Sequence, residues 1–168
     1  MQRDRSQTKG WGDVKKPPGC ETACKAVLSV SSNHEDRASL EGIVRSDWTV
    51  IPSATVASAL SVLREAPIPI VICDDEVAPG TWGDLLNHIS FFPDPPLLIV
   101  TSRLADERLW AEAVNLGAWD VLAKPFDAQE VIRIVSVAWQ HWLDRHNVYA
   151  GGAKQRKFAN GLMAAIGT

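Results

Sequence analysis

The stretch "LGAWDVLAKPFD", residues 116–127, holds the end of one helix, a complete strand and the start of the next helix. Leu116 closes an amphipathic run that includes Leu104, Trp110, Ala113 and Val114, and Gly117 stands where a helix C-terminus wants a residue free to adopt positive φ. Asp120–Ala123 (DVLA) is short, apolar and bounded, as a buried strand is, and Lys124-Pro125-Phe126 stops it. Asp127 then offers a side-chain acceptor with Glu130 three residues on, which is how a helix begins. A helix–strand–helix unit of this compactness belongs in a sheet whose strands are joined by helical crossovers.

The same alternation extends toward the N-terminus. Apolar strands are expected at Ala26–Val30, Trp48–Ile51, Ile68–Cys73 and Leu97–Thr101. Helical patterns fall between them, through Leu40 and Val44, from Val56 to Leu63, and from Trp82 to Phe91. The helix opened by Asp127 continues through Ile132, Val135, Trp139, Trp142 and Leu143. Five near-continuous apolar strands alternating with five helices predict an α/β fold, a flavodoxin-like doubly wound five-stranded parallel sheet of (βα)5 form. Residues 1–24, with Lys15-Lys16-Pro17-Pro18-Gly19, read as a disordered or linker-like tail, residues 25–146 as the domain, and residues 147–168 as a C-terminal tail. Gly151-Gly152 is expected to break the chain before a basic segment with a short helix near Phe158–Ile166.

Composition bounds the function. The 168 residues carry 17 Lys and Arg against 20 Asp and Glu, so a net charge of -3 gives no general attraction to nucleic acid or to anionic membrane. No apolar run is long enough to span a bilayer, and the first residues lack a secretory pattern, which predicts a cytoplasmic location. Cys20 and Cys24 have no second ligand pair at zinc spacing, and Cys73 reads as a small buried hydrophobe. His34, His88, His141 and His146 share no metal-ligand spacing and read as surface residues. Of the seven tryptophans, Trp82, Trp110, Trp119, Trp139 and Trp142 fall in or beside elements and are expected in or near the core. Trp139 and Trp142 would instead form an exposed apolar patch if the last helix outran the sheet.

In a doubly wound sheet the chemistry collects at the C-terminal ends of the strands. Those ends here carry Ser31-Ser32, Asp74-Asp75, Thr101-Ser102 and Lys124. With "IVICDD" at the third strand, "IVTS" at the fourth and "LGAWDVLAKPFD" at the fifth, the chain from Ala26 to Trp142 resembles the receiver domain of bacterial response regulators. The resemblance implies a non-enzymatic, stand-alone phosphorelay module in a two-component system. Asp74 would be the phospho-acceptor, with Thr101 and Lys124 contacting the phosphoryl group. Asp75 is the alternative acceptor, because Pro79 stands four residues after it, while Leu85-Leu86 align with Asp74 without a gap. Implied partners are a sensor histidine kinase or phosphotransfer protein, and a second copy docked on the face of the fourth helix, fifth strand and fifth helix.

Two departures from the family pattern stand out. Receivers end their first strand with two acids that help hold Mg2+, and here Ser31 and Ser32 take those positions. Magnesium binds through one or two carboxylates plus water, so Asp74 with the Glu76 backbone carbonyl would be a weak anchor. Glu35 or Asp36 could reach back as substitutes, although Ser32-x-x-Glu35 also has the spacing of a helix capping box. At the switch position, where the family often carries Tyr or Phe, Val121 offers no ring to rotate. The same resemblance allows a second reading: a degenerate receiver that binds partners without phosphorylation. A flavodoxin-like ligand-binding protein is the third, and no phosphate-cradling glycine loop follows the first strand.

Overall fold

Strand β1 (Ala26–Val30) is buried at every position, which is the fate of a strand covered on both faces. A computed structural model describes residues 25–164, with side chains from 25 to 146. Its elements follow as α1 (His34–Val44), β2 (Thr49–Ser53), α2 (Val56–Glu65), β3 (Ile70–Asp74), α3 (Trp82–Ile89), β4 (Leu97–Ser102), α4 (Glu107–Leu116), β5 (Asp120–Ala123) and α5 (Ala128–Ala164). The five strands form one parallel sheet in the order β2-β1-β3-β4-β5. The doubly wound α/β expectation therefore holds.

Period-two alternation divides the core into two layers. Val27, Ile70, Ile72, Ile99 and Leu122 face α1 and α5, where Leu40, Val44, Val131, Ile134, Val135 and Ala138 cover them. Leu28, Val30, Val71, Cys73, Val100 and Val121 face the opposite layer, closed by Leu60 and Leu63 of α2, Leu85 and Ile89 of α3 and Ala113 of α4. The α1/α5 layer ends in a tryptophan cluster. Trp139 meets Trp48 edge-on at 5.6 Å between ring centroids and stacks on Trp142 at 5.7 Å. Trp139 and Trp142 are thus buried, and the exposed patch considered for them is not formed. Trp110 departs the other way. It is 52% exposed because α4 buries only Ala113.

Local signals explain the boundaries. Gly117 has φ 108° and ends α4, a conformation that disfavours any side chain. Helix α1 is capped by Asn33, which accepts from the Glu35 and Asp36 amides, so the expected Ser32–Glu35 capping box is replaced by a cap one residue later. Strand β3 starts at Ile70 rather than Ile68, after a Pro69 that cannot donate to the ladder. Helix α5 runs unbroken for 37 residues, through the Gly151-Gly152 pair expected to end it. Glycine costs a helix about 1 kcal/mol relative to alanine but keeps its N–H, so the hydrogen-bond ladder can continue. The short helix expected near Phe158 is part of this one as far as Ala164. The tail at 1–24, with Cys20 and Cys24, lies outside the described residues.

Candidate functional site

Strand parity assembles the site. The positions that carry Ile70 and Ile72 toward α1 and α5 continue to Asp74, and those that carry Ile99 and Leu122 continue to Thr101 and Lys124. On β1 the same face holds Val27, then Ser29 two residues on and Ser31 four residues on. Asp74 and Thr101 are register partners at the ends of β3 and β4. One carboxylate, two hydroxyls and one ammonium therefore reach one rim of the sheet, beneath the N-terminus of α1.

The contacts are short and secluded. Lys124 Nζ donates to Asp74 Oδ1 at 2.7 Å, and both side chains are 5% exposed. Ser31 Oγ donates to the other oxygen, Asp74 Oδ2, at 3.1 Å, and in turn accepts from the Asn33 amide. Asp36, in the first turn of α1, accepts from the same Lys124 ammonium at 3.0 Å. Its carboxylate also takes Arg103 Nη2, at 3.1 Å from one oxygen and 3.3 Å from the other. Ser31, Asp36, Thr101 and Phe126 line a small cavity beside these groups.

Burial and charge act in opposite directions on the ionisable groups. Burial alone would push the Asp74 carboxyl up, but hydrogen bonds from Lys124 and Ser31 and the positive charge of Lys124 outweigh it and hold Asp74 below the usual carboxylate range. Burial would lower Lys124, and its bonds to Asp74 and Asp36 raise it instead. Asp75 goes the other way. Burial raises it, and the neighbouring Asp74 charge adds to that. The carboxylate that the ammonium touches is Asp74. Burial, reinforced by both aspartates, pushes the Cys73 thiol up to about 12.

Val121, at the switch position, is buried in the layer that also holds Ala113 of α4, and Glu76 follows β3 in an exposed turn. Of the two acids considered as substitutes, Asp36 reaches the site and Glu35 stays at the surface. Arg103 is an addition. Asking what stands just beyond each strand end would have reached it, since it directly follows Ser102.

The donor set does not fit a divalent cation in the way the acid pair of receivers does. Ser31 and Ser32 are neutral, and every carboxylate oxygen of Asp74 and Asp36 already has a hydrogen-bond donor from within the chain. Asp74 and Asp36 are each paired with a cation, through Lys124 and Arg103. Among the described residues no group of three or more His, Cys, Asp or Glu side chains is placed to hold a metal ion.

No protein-family model matches the chain. A segment of 114 residues is 29% identical to part of the sensor histidine kinase TmoS of Ectopseudomonas mendocina, covering 66% of this chain but only 12% of that protein. Among solved structures, the signal receiver domain of an HD domain-containing protein from Pseudomonas fluorescens Pf-5 superposes with a TM-score of 0.68 at 23% identity, covering 75% of this chain and 94% of that one. The chemotaxis response regulator CheY4 of Vibrio cholerae gives 0.63 at 17% identity, covering 70% and 99%. The beryllofluoride-activated NtrC4 receiver domain dimer gives 0.65 at 22% identity, covering 70% and 98%. No helix among the described residues is long and apolar enough to cross a membrane. With its strand order, its crossovers and these neighbours, the chain carries a domain with the fold of response-regulator receivers.

Proposed function

We propose that the chain is a receiver-like signalling module of the cytoplasm that takes a phosphoryl group on Asp74 and passes the signal through protein contacts. The observation that carries this reading is the 2.7 Å pair of Asp74 and Lys124, secluded at the strand ends beside Thr101. An aspartate held ionised is a nucleophile, and the ammonium beside it can neutralise charge on the incoming group. The donor would be the phosphohistidine of a sensor kinase or a phosphotransfer protein. With a small donor such as acetyl phosphate, an Asp74 oxygen bonds to phosphorus as the P–O bond to acetate breaks, and acetate leaves with the electron pair. A homodimer through α4, β5 and α5 has support in the exposed apolar side chains of α4, among them Trp110, Val114 and Leu116.

A second reading has its own observation. Ser31 and Ser32 remove the acids of the usual magnesium site, and Asp36 already pairs with the lysine. A degenerate receiver would bind partners through the same faces with no phosphoryl step. Incubation with acetyl phosphate and magnesium, followed by intact-mass measurement, separates the two. A single added phosphoryl mass, absent in Asp74→Asn, supports the acceptor reading. No added mass, with Asp74→Asn unchanged in partner binding, rejects it in favour of the second.

A further inference from the structure

Arg103 lies in the turn after β4, and its guanidinium grips both oxygens of Asp36 although its side chain is 61% exposed. Contacts of 3.3, 3.0 and 2.7 Å run end to end from Arg103 Nη2 through Asp36 and Lys124 to Asp74 Oδ1. We propose that Arg103 is a second phosphoryl-binding cation, parked on Asp36 at rest and drawn onto the phosphoryl oxygens when Asp74 carries the group, so that two side-chain cations do the neutralising that a divalent ion does in acid-paired receivers. The inference rests on the acceptor reading above.

Charge balance motivates it. At rest Asp74 and Asp36 are offset by Lys124 and Arg103. A phosphoryl group on Asp74 replaces one negative charge with about two. Lys124, still shared with Asp36, cannot offset that alone. The planar guanidinium suits a phosphate better than an ammonium does, since it offers paired N–H donors. An exposed arginine on a turn can also move without repacking the core. Asp36 stands at the positive N-terminal end of α1, which favours a carboxylate there even after a cation has left it.

The test uses the full chain with acetyl phosphate in excess EDTA, read by intact mass over time, with magnesium-containing samples in parallel. Wild type is expected to take up one phosphoryl mass in EDTA. Arg103→Ala should slow that uptake by at least about tenfold, the value of one charged contact, and Arg103→Lys should recover part of it. Asp74→Asn should take up none. Urea denaturation of Arg103→Ala should match wild type closely, since an exposed ion pair contributes little to stability. Uptake that requires magnesium, or that is equal in wild type and Arg103→Ala, overturns the inference and leaves the acceptor reading standing. No uptake under any condition sinks both.

Discussion

The Lys124 ammonium and the Asp74 carboxylate meet at 2.7 Å with each side chain 5% exposed, so the ends of β3 and β5 are tied by an ion pair almost wholly removed from water. Such a pair is costly to break on one side only, because the survivor is left charged and buried. Lys124→Met should therefore destabilise the domain by about 3 kcal/mol. Adding Asp74→Asn should cost less than the two single changes summed, by more than about 1 kcal/mol. Urea denaturation of the four proteins measures both quantities. Strictly additive changes would show that the two groups do not share their stabilisation.

Acid and base should act on this site in a definite order. Asp74 titrates below its unfolded value of about 3.9, so its contribution is complete above that pH and is lost as pH falls through the lower folded value. Lys124 titrates above its unfolded value of about 10.4, so its contribution is complete below that pH and disappears as pH rises through the higher folded value. Asp75, raised mainly by burial, has the reverse sign for a carboxylate: its contribution is present below about 3.9 and lost as pH climbs through its raised folded value. Removing that charge in Asp75→Asn should make the domain more stable than wild type near neutrality and no more stable at pH 3. Denaturation curves from pH 3 to 8 give the comparison. A neutral-pH plateau at or below that of wild type would contradict it.

Strands β1 and β5 were legible to the residue because each is a short apolar run closed by residues that stop it, Ser31-Ser32 and Lys124-Pro125. The convergence of Asp74, Thr101 and Lys124 was legible too, since parallel strands with helical crossovers must end at one rim. Sequence spacing alone gave two registers for the acceptor. Parity resolves what touches Lys124, because Asp74 continues the side of Ile70 and Ile72. Asp36 was legible as an acid near the site, but its pairing with Lys124 and Arg103, 88 and 67 residues away, was not, as no local pattern records how a helix start sits over a distant strand end. Trp110 misled for a related reason. Its helix is amphipathic, yet α4 fully buries only Ala113, with Leu109 partly buried beside it.

Cys73 should be inert in the folded protein. Its thiol is fully buried and pushed up to about 12, and the thiolate is the reactive form. Iodoacetamide at pH 8 followed by peptide mapping should leave Cys73 unmodified in native protein and modify it in 6 M urea. Rapid native labelling at that peptide would mean that the end of β3 opens far more often than its packing allows.

Ser31 offers the strongest gain-of-function test of why the site departs from the metal-dependent pattern. Its hydroxyl donates to Asp74 Oδ2, so Ser31→Asp replaces a donor with a second buried carboxylate beside the first. Like charges that close disfavour joint ionisation, and the variant should lose about 2 kcal/mol of stability without metal. The same pair of carboxylates is what magnesium accepts as protein ligands. A cation that binds only the folded state returns stability by mass action, about 1.4 kcal/mol at tenfold excess over its Kd. Ser31→Asp should therefore show a thermal midpoint that rises with added magnesium, while the midpoint of wild type stays flat. A wild-type midpoint that already climbs with magnesium would mean that Asp74 and Asp36 accept the ion by letting Lys124 go.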